Sequence, residues 1–393
     1  MIECLPILYS KISPSFKSDS LIEVSSQELQ EIKQDFLSYG SKFANVCYSE
    51  KQFLEIFNEP NQSTLSRMER TLNSGHHSVY EHTYLTFELS NIPKSLVMIL
   101  NNQNVYVTSE KSARYTQMNQ VSSLEKKLYN KWIDIFISTI KSEYDFLDEN
   151  RVKKLSQENA RYMTSVHTPT KLIHTLSFRQ LNYLMNFFEN FIENADSNPY
   201  NNSLKKSMND FINIDLFKKI RVPKLNPISR NELNWFSKFN VEEYFDSTYS
   251  VNYNMSFASL AQAQRHRTIT YQVENFNSIN DFFVPLILNE SQRNEWINDL
   301  KRVSDLFPQA GLLKVNERGI FEHFAMKATE RLCGFAQLET MKNTKQTLEK
   351  YLSLANNLEI KKYLEENAKS KCLKNRCASS CEFGPKLGLT RLI

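Results

Sequence analysis

Tyr84–Ser90 reads YLTFELS and leads into Pro93–Gln103, PKSLVMILNNQ; Tyr249–Asn254 reads YSVNYN and leads into Met255–Gln264, MSFASLAQAQ. Each pair is an alternating, strand-like run followed by an apolar, helix-like run. Each then enters a polar segment, NVYVTSEKSARY at 104–115 and RHRTITYQVENF at 265–276. The same order in two halves of one chain is an internal repeat. The polar residues do not repeat, so each half carries groups that the other lacks.

Helical spacing continues on both sides. Leu29, Ile32, Phe36 and Leu37 mark an early helix. Gln180–Ile192 is apolar nearly all round and reads as a buried helix. Ile320–Leu338 and Thr347–Leu358 read as further helices. Asn194–Asn202 (NADSNPYNN) reads as a loop, and Val222–Ser229 holds two prolines. The expected division is a first unit at 1–197, a linker at 198–232, a second unit at 233–345, and a C-terminal helix with a cysteine-rich tail at 346–393.

The chain has 393 residues, 41% of them hydrophobic and 12% aromatic, enough for large cores and too apolar for disorder. The net charge of +4 is spread along the chain, so no nucleic-acid partner is expected. There are only seven glycines and no GxGxxG or Walker A pattern, which argues against Gly-rich phosphate loops. No apolar run reaches membrane length, and Met1–Ser10 carries Glu3 and no basic stretch. A cytoplasmic location without membrane contact is the expectation, and the six cysteines agree with a reducing compartment better than with a disulfide scaffold.

Four segments carry chemistry. Arg265-His266-Arg267 sets two guanidiniums around an imidazole after a small-residue helix, suited to an anion or an electron-rich ring; a solvated basic helix end is the plainer reading. Glu110-Lys111-Ser112-Ala113-Arg114-Tyr115 offers hydroxyl and guanidinium donors for a phosphate, or is a solvated loop. Gly75-His76-His77-Ser78-Val79-Tyr80-Glu81-His82 crowds three histidines together, more suggestive of a cofactor-contacting turn than of a metal site. Cys372, Cys377 and Cys381, with Cys333 as a fourth thiolate, have the residue types of a structural zinc site, or are reduced surface thiols.

Together these segments resemble the flavin-dependent thymidylate synthases. That family has a GHxSxxEH turn, a strand, a helix ending in Q-x-x-RHR, a Ser-x-Arg-Tyr segment, and later an Arg before an AQWE helix. The first half matches the turn with Gly75, His76, Ser78, Glu81 and His82, and the phosphate side with Glu110, Ser112, Arg114 and Tyr115. Asn102, Gln103 and Asn104 stand where RHR would be. The second half keeps Gln262, Arg265, His266 and Arg267, but has Asn275 and Asn277 in place of the Ser and Arg. Arg331 precedes Ala336-Gln337-Leu338-Glu339, with Leu for the family's Trp, and Lys314 stands where the family has a second nucleotide-binding Arg.

The resemblance implies an α+β, helix-rich fold of two related units, each a sheet flanked by helices. It implies methylation of dUMP to dTMP with FAD as cofactor and NADPH and methylenetetrahydrofolate as co-substrates. One composite site would survive, with RHR from the second half and SxRY from the first. Arg265 and Arg331 would be catalytic. Gln262, Glu110, Ser112, Arg114, Tyr115 and Lys314 would bind the nucleotide. His76, Ser78, Glu81, His82, Arg265, His266 and Arg267 would contact FAD. Asn102 and Gln103 would belong to a dead site and be replaceable. A homodimer would form one pseudo-tetramer. The alternatives are alkylation of another pyrimidine nucleotide such as dCMP, an inactive nucleotide- or flavin-binding regulator, and a basic nucleic-acid-binding module with a zinc knuckle.

Overall fold

The computed structural model describes residues 26–113, 116, 120–226, 242–374, 377, 381–383 and 390–393, and the backbone of 3–9 and 236–237. In chain order the elements begin with β1 (Glu3–Tyr9), α1 (Ser26–Val46), α2 (Phe53–Phe57), α3 (Asn61–Asn73), β2 (Tyr84–Pro93), α4 (Lys94–Leu100) and β3 (Tyr106–Glu110). Next come α5 (Ser123–Glu143), α6 (Glu149–Ala160), β4 (Pro169–Ser177), α7 (Phe178–Asn194), α8 (Pro199–Ile212) and α9 (Asp215–Ile220). The remainder is β5 (Phe236–Ser237), β6 (Tyr244–Phe245), β7 (Thr248–Ser256), α10 (Phe257–Ala263), β8 (Thr270–Glu274), α11 (Glu290–Lys301), β9 (Leu312–Ile320), α12 (Phe321–Arg331), α13 (Leu338–Leu354) and α14 (Leu358–Asn367). The fold is α+β and rich in helix.

Two sheets carry it, in the orders β1-β2-β4-β3 and β5-β8-β9-β7-β6. The repeat read from the sequence is visible in both. β2 leads into α4 and then β3, and β4 returns between β2 and β3, antiparallel to each. β7 leads into α10 and then β8, and β9 returns between β7 and β8, antiparallel to each. In both sheets the first residue of the leading strand faces the last residue of the returning one, Tyr84 opposite Ser177 and Thr248 opposite Ile320. Ser177 and Ser256 cap the helices that follow, accepting from the backbone N–H of Gln180 and Ser259.

The two compact units are not successive halves. One comprises residues 1–97, 103–111 and 169–231; the other comprises 98–102, 112–168 and 232–393. The helices α5 and α6, which the sequence cut assigns to the first unit, belong with the second. There Trp132 of α5 meets Trp296 of α11 edge to face at 4.7 Å, and Trp132 Nε1 donates to Asp299 at 3.0 Å. Such aromatic burial outweighs nearness in sequence. Residues 198–232, expected as linker, instead contain α8 and α9. Tyr200, Leu204, Met208, Phe211 and Phe217 are buried there, and Asn198 caps α8.

Other expectations shift for local reasons. The helix read at 320–338 is α12 followed by a break at 332–337 and then α13. The helix read at 347–358 is the end of α13 and the start of α14, where Asn357 accepts from the N–H of Glu359 and Ile360 and begins a new helix. The early helix and the apolar run match: Leu29, Ile32, Phe36 and Leu37 are buried in α1, and α7 is buried on most of its surface.

Gly40 lies in α1, where a Cβ would overlap the ring of buried Tyr80, whose hydroxyl bonds Thr71 Oγ1 at 2.8 Å. In an open helix Gly→Ala gains about 1 kcal/mol of propensity. Overpacking costs roughly 1–3 kcal/mol. Gly40→Ala should therefore lower stability in denaturant unfolding; a gain would show that Tyr80 moves aside freely.

Candidate active site

The GHxSxxEH segment is built as a turn. α3 ends with Gly75 at φ 76°, a left-handed position that glycine alone takes without strain. His76 N then donates back to Thr71 O at 3.1 Å, closing a Schellman-type end. His76 is half-buried, and Ser78, Glu81 and His82 are exposed. Glu81 pairs with Arg179 at 2.7 Å, and His82 packs on Phe43. His77 is structural: its Nε2 meets Leu72 O and its Nδ1 accepts from Asn226 N, both at 3.0 Å. A cleft of about 190 Å3 in this unit is lined by Glu81, Arg179, Asn104, Val105 and Tyr183 among others. Asn104 is one of the residues standing in for the lost RHR.

Glu110 ends β3 and receives Lys94 Nζ on both carboxylate oxygens at 2.7 Å. Ser112 is half-buried. Arg114 and Tyr115 lie outside the described residues. Gln103 is not a replaceable surface group. It is 4% exposed, accepts from Tyr183 Oη at 3.3 Å, and its carbonyl accepts from Gln180. Asn102 donates to Tyr271 O at 3.3 Å.

The second unit brings three of the expected residues into direct contact. Arg331 at the end of α12 donates through Nε to His266 Nε2 at 2.7 Å and through Nη2 to Gln262 O at 3.2 Å. Gln262 Oε1 accepts from Gln337 N at 3.2 Å. Because Nε2 of His266 accepts, the neutral ring carries its proton on Nδ1. Burial, then the charges of Arg331 and Lys327, push its pKa down to about 3. Arg265 is half-buried and Arg267 exposed. Lys314 is placed elsewhere in its sheet, at the surface beside Glu274, 3.2 Å away, and lining a pocket with Asn275. It therefore keeps company with the eroded segment.

Behind this constellation is a buried polar chain. Arg161 Nη2 donates to Gln337 Oε1 at 2.5 Å, Gln337 Nε2 donates to Tyr162 Oη, and Tyr162 Oη donates to Glu339 Oε2 at 2.7 Å. Glu339 also accepts from Ser256 N at 2.7 Å and Ser256 Oγ at 2.6 Å. Burial pushes the Glu339 carboxyl up, opposed by these bonds. Sequence reasoning quoted Gln337 and Glu339 without giving them a task and missed Arg161 and Tyr162. The signal was faint: a lone Arg-Tyr pair after a polar helix.

The cysteine tail folds toward the break after α12. Lys371 pairs with Glu330 at 2.7 Å and Lys374 bonds Thr329 at 2.8 Å, which ties the turn holding Cys372 to the last turn of α12. A Cβ on Gly334 would overlap Cys381 Sγ. Arg391 donates to the carbonyls of Gly334 and Ala336. Burial and the nearby thiols of Cys381, Cys377 and Cys372 push the Cys333 thiol up. Among the described residues, no group of three or more His, Cys, Asp or Glu side chains is arranged to hold a metal ion, and no helix is long and apolar enough to cross a membrane.

Residues 35–196 match the family model described as thymidylate synthase complementing protein. Curated relatives include the flavin-dependent thymidylate synthases of Pyrococcus abyssi, 24% identical over 152 residues, and of Thermococcus onnurineus, 24% identical over 154 residues. Each match covers 36% of this chain and 61% of the relative. Similar solved structures include a Helicobacter pylori thymidylate synthase X with FAD and dUMP, at 17% identity and a TM-score of 0.31, covering 56% of this chain and 98% of that one. Another is a UMP/dUMP methylase from Streptomyces cacaoi with 5-Br dUMP, at 15% identity and a TM-score of 0.29, covering 47% and 77%.

The depressed pKa of His266 sets a pH dependence. Against an ordinary value of 6.5, a folded value of about 3 means that the unfolded chain binds the proton first. This contribution is complete above about pH 6.5 and is lost as pH falls toward 3. His167, which burial pushes down to about 4, adds to the same loss. His266→Gln should flatten part of the decline in stability between pH 6.5 and 4, read by denaturant unfolding at stepped pH; an unchanged slope would mean that His266 is solvated.

Proposed function

We propose that this protein methylates dUMP to dTMP with FAD as cofactor, methylenetetrahydrofolate as one-carbon donor and NADPH as reductant. The site would be one composite: Glu110, Ser112, Arg114 and Tyr115 from the first half, and Gln262, Arg265, Lys314 and Arg331 from the second. The observation that carries the reading is the direct contact of Gln262, His266 and Arg331, three residues from motifs that resemble the family's in type and order. Ser112, Gln262, Arg265 and Arg331 also fall within the same compact unit.

Arg331 is oriented by two of its nitrogens, and a charge held in this way would polarise a uracil carbonyl brought to it; preorganised charge of this kind needs no reorganisation during reaction. Ser112 and Arg114 supply a hydroxyl and a fork of guanidinium donors for the phosphate. Of these nucleotide groups, Lys314 has the least structural support, given its place beside Asn275. Arg265, neutral His266 and Arg267 form a donor set that fits a flavin, with two cations for its phosphates and a ring N–H for a carbonyl or ring nitrogen of the isoalloxazine. When bound, the flavin supplies the redox chemistry that protein side chains lack. His76, Ser78, Glu81 and His82 are proposed as cofactor-contacting from the family turn alone, and the homodimer from the resemblance alone.

As placed, Cys333, Cys372, Cys377 and Cys381 do not form a group that holds a metal ion, so a structural zinc site of these four thiols is proposed from their residue types alone and requires them to close around the ion. A closed four-thiolate site has no open position for substrate, so its task would be to hold the break that separates Arg331 from Gln337. Elemental analysis of protein purified without chelators should find about one zinc per chain, lost in Cys377→Ser. Metal-free protein with four titratable thiols would leave them as plain reduced cysteines.

For the activity, the purified protein should show flavin absorption bands and dUMP-dependent turnover. Arg265→Ala and Arg331→Ala should each lower turnover by about 100-fold or more, as for loss of a transition-state donor. Full activity in either variant would sink the composite site. Colourless, inactive protein would favour the regulator reading, and a preference for dCMP would change the nucleotide.

A further inference from the structure

Beneath His266 and Arg331 lies a pair of opposite charges cut off from water. Glu317 of β9 is 0% exposed and Lys327 of α12 is 1% exposed. Lys327 Nζ donates to Glu317 Oε2 at 2.5 Å. Two tyrosines of β7 complete the carboxylate: Tyr249 Oη donates to Oε1 at 2.6 Å, and Tyr253 Oη donates to Oε2. The ammonium also faces the ring of Tyr271 at 5.7 Å and that of Phe324 at 6.0 Å. A buried ion pair is a poor source of stability, because desolvating two charges offsets their attraction. Another reason for its presence is therefore needed.

Its position supplies one. Lys327 and Arg331 are four residues apart on α12 and so share one face, one turn apart. Arg331 is the residue that meets His266 and Gln262. Two cations on adjacent turns beside an imidazole need a counter-charge, and Glu317 is the carboxylate that bonds Lys327. We propose that Lys327 and Glu317 are positioning residues for the Gln262–His266–Arg331 constellation: Glu317 anchors Lys327, and the anchored cation fixes the His266 ring as acceptor of Arg331 Nε. The inference rests on the functional reading of that constellation only for its effect on the nucleotide. Its effect on His266 stands by itself. The direction of the His266 shift, downward under Arg331 and Lys327 after burial, agrees with it. Arg331 and Lys327 on α12 act on this ring directly; the other ionisable groups on its segment and on the elements that carry the pair are Arg265 and Arg267, His323 on α12, Glu317 on β9, and Tyr249, Tyr253 and Tyr271 on β7 and β8.

The test uses the full chain, with the His266 ring assigned by NMR through loss of its signal in His266→Gln. Lys327→Met should raise the pH at which His266 titrates by at least one unit and weaken dUMP binding by about tenfold or more. Lys327→Arg, which keeps the charge, should restore an acid-shifted His266. Because Lys327→Met leaves Glu317 unpaired, it risks poor folding. The double variant Lys327→Met with Glu317→Gln removes both charges and should recover thermal stability without recovering the His266 titration. If the double variant regains the wild-type titration, or if folded Lys327→Met titrates like wild type, the pair is only structural and the proposal is overturned. If the wild-type chain binds no dUMP while His266 still shifts in Lys327→Met, the functional reading fails and the positioning role survives.

Discussion

The Glu339 carboxyl is buried, and its hydrogen bonds hold the second unit's polar network together. It accepts from the backbone and hydroxyl of Ser256, the cap of α10, and from Tyr162, which follows α6. α10 carries Gln262 and delivers the Arg265–Arg267 segment, while Gln337, two residues before Glu339, bonds both Arg161 and Gln262. One buried acceptor thus couples three stretches far apart in sequence. Inside a low-dielectric core such a network is costly when broken and rigid when satisfied. That rigidity is what a preorganised guanidinium at Arg331 requires.

The same repeat has been put to two uses. In the second unit α10 leads into RHR, whose histidine accepts from Arg331, while Arg265 is half-buried and Arg267 exposed. In the first half the corresponding residues serve packing. Gln103 is buried between Tyr183 and Gln180, and Asn102 bonds a strand carbonyl. In the second half Asn275 lines a surface pocket beside Lys314 and Glu274.

The repeat, the α+β class, the early helix and the all-round apolar α7 were legible because each depends on local periodicity. So was the RHR helix, whose small residues allow close packing. The returning strands β4 and β9 were not. Lys171, His174, Lys314, Asn316 and Glu317 interrupt their apolar alternation, and their polarity is compensated only by tertiary partners such as Lys327 and Ser250. The break after Arg331 was hidden for a related reason. Leu332 to Leu338 has helical composition, and the chain turns there because Cys381, Arg391 and Gln262 occupy the space and bond its backbone. Arg161 and Tyr162 could not be singled out, since their roles exist only once α6 and α13 meet. The unit boundary was misplaced because the Trp132–Trp296 core joins segments that the sequence separates.

The central claim is that one competent nucleotide site survives per chain, assembled from both halves. Equilibrium dialysis of labelled dUMP against the FAD-loaded protein measures it directly. The account predicts one nucleotide per chain, abolished by Ser112→Ala combined with Arg114→Ala in the first half and equally by Arg265→Ala in the second. Two nucleotides per chain, or binding that survives either set of substitutions, would contradict it.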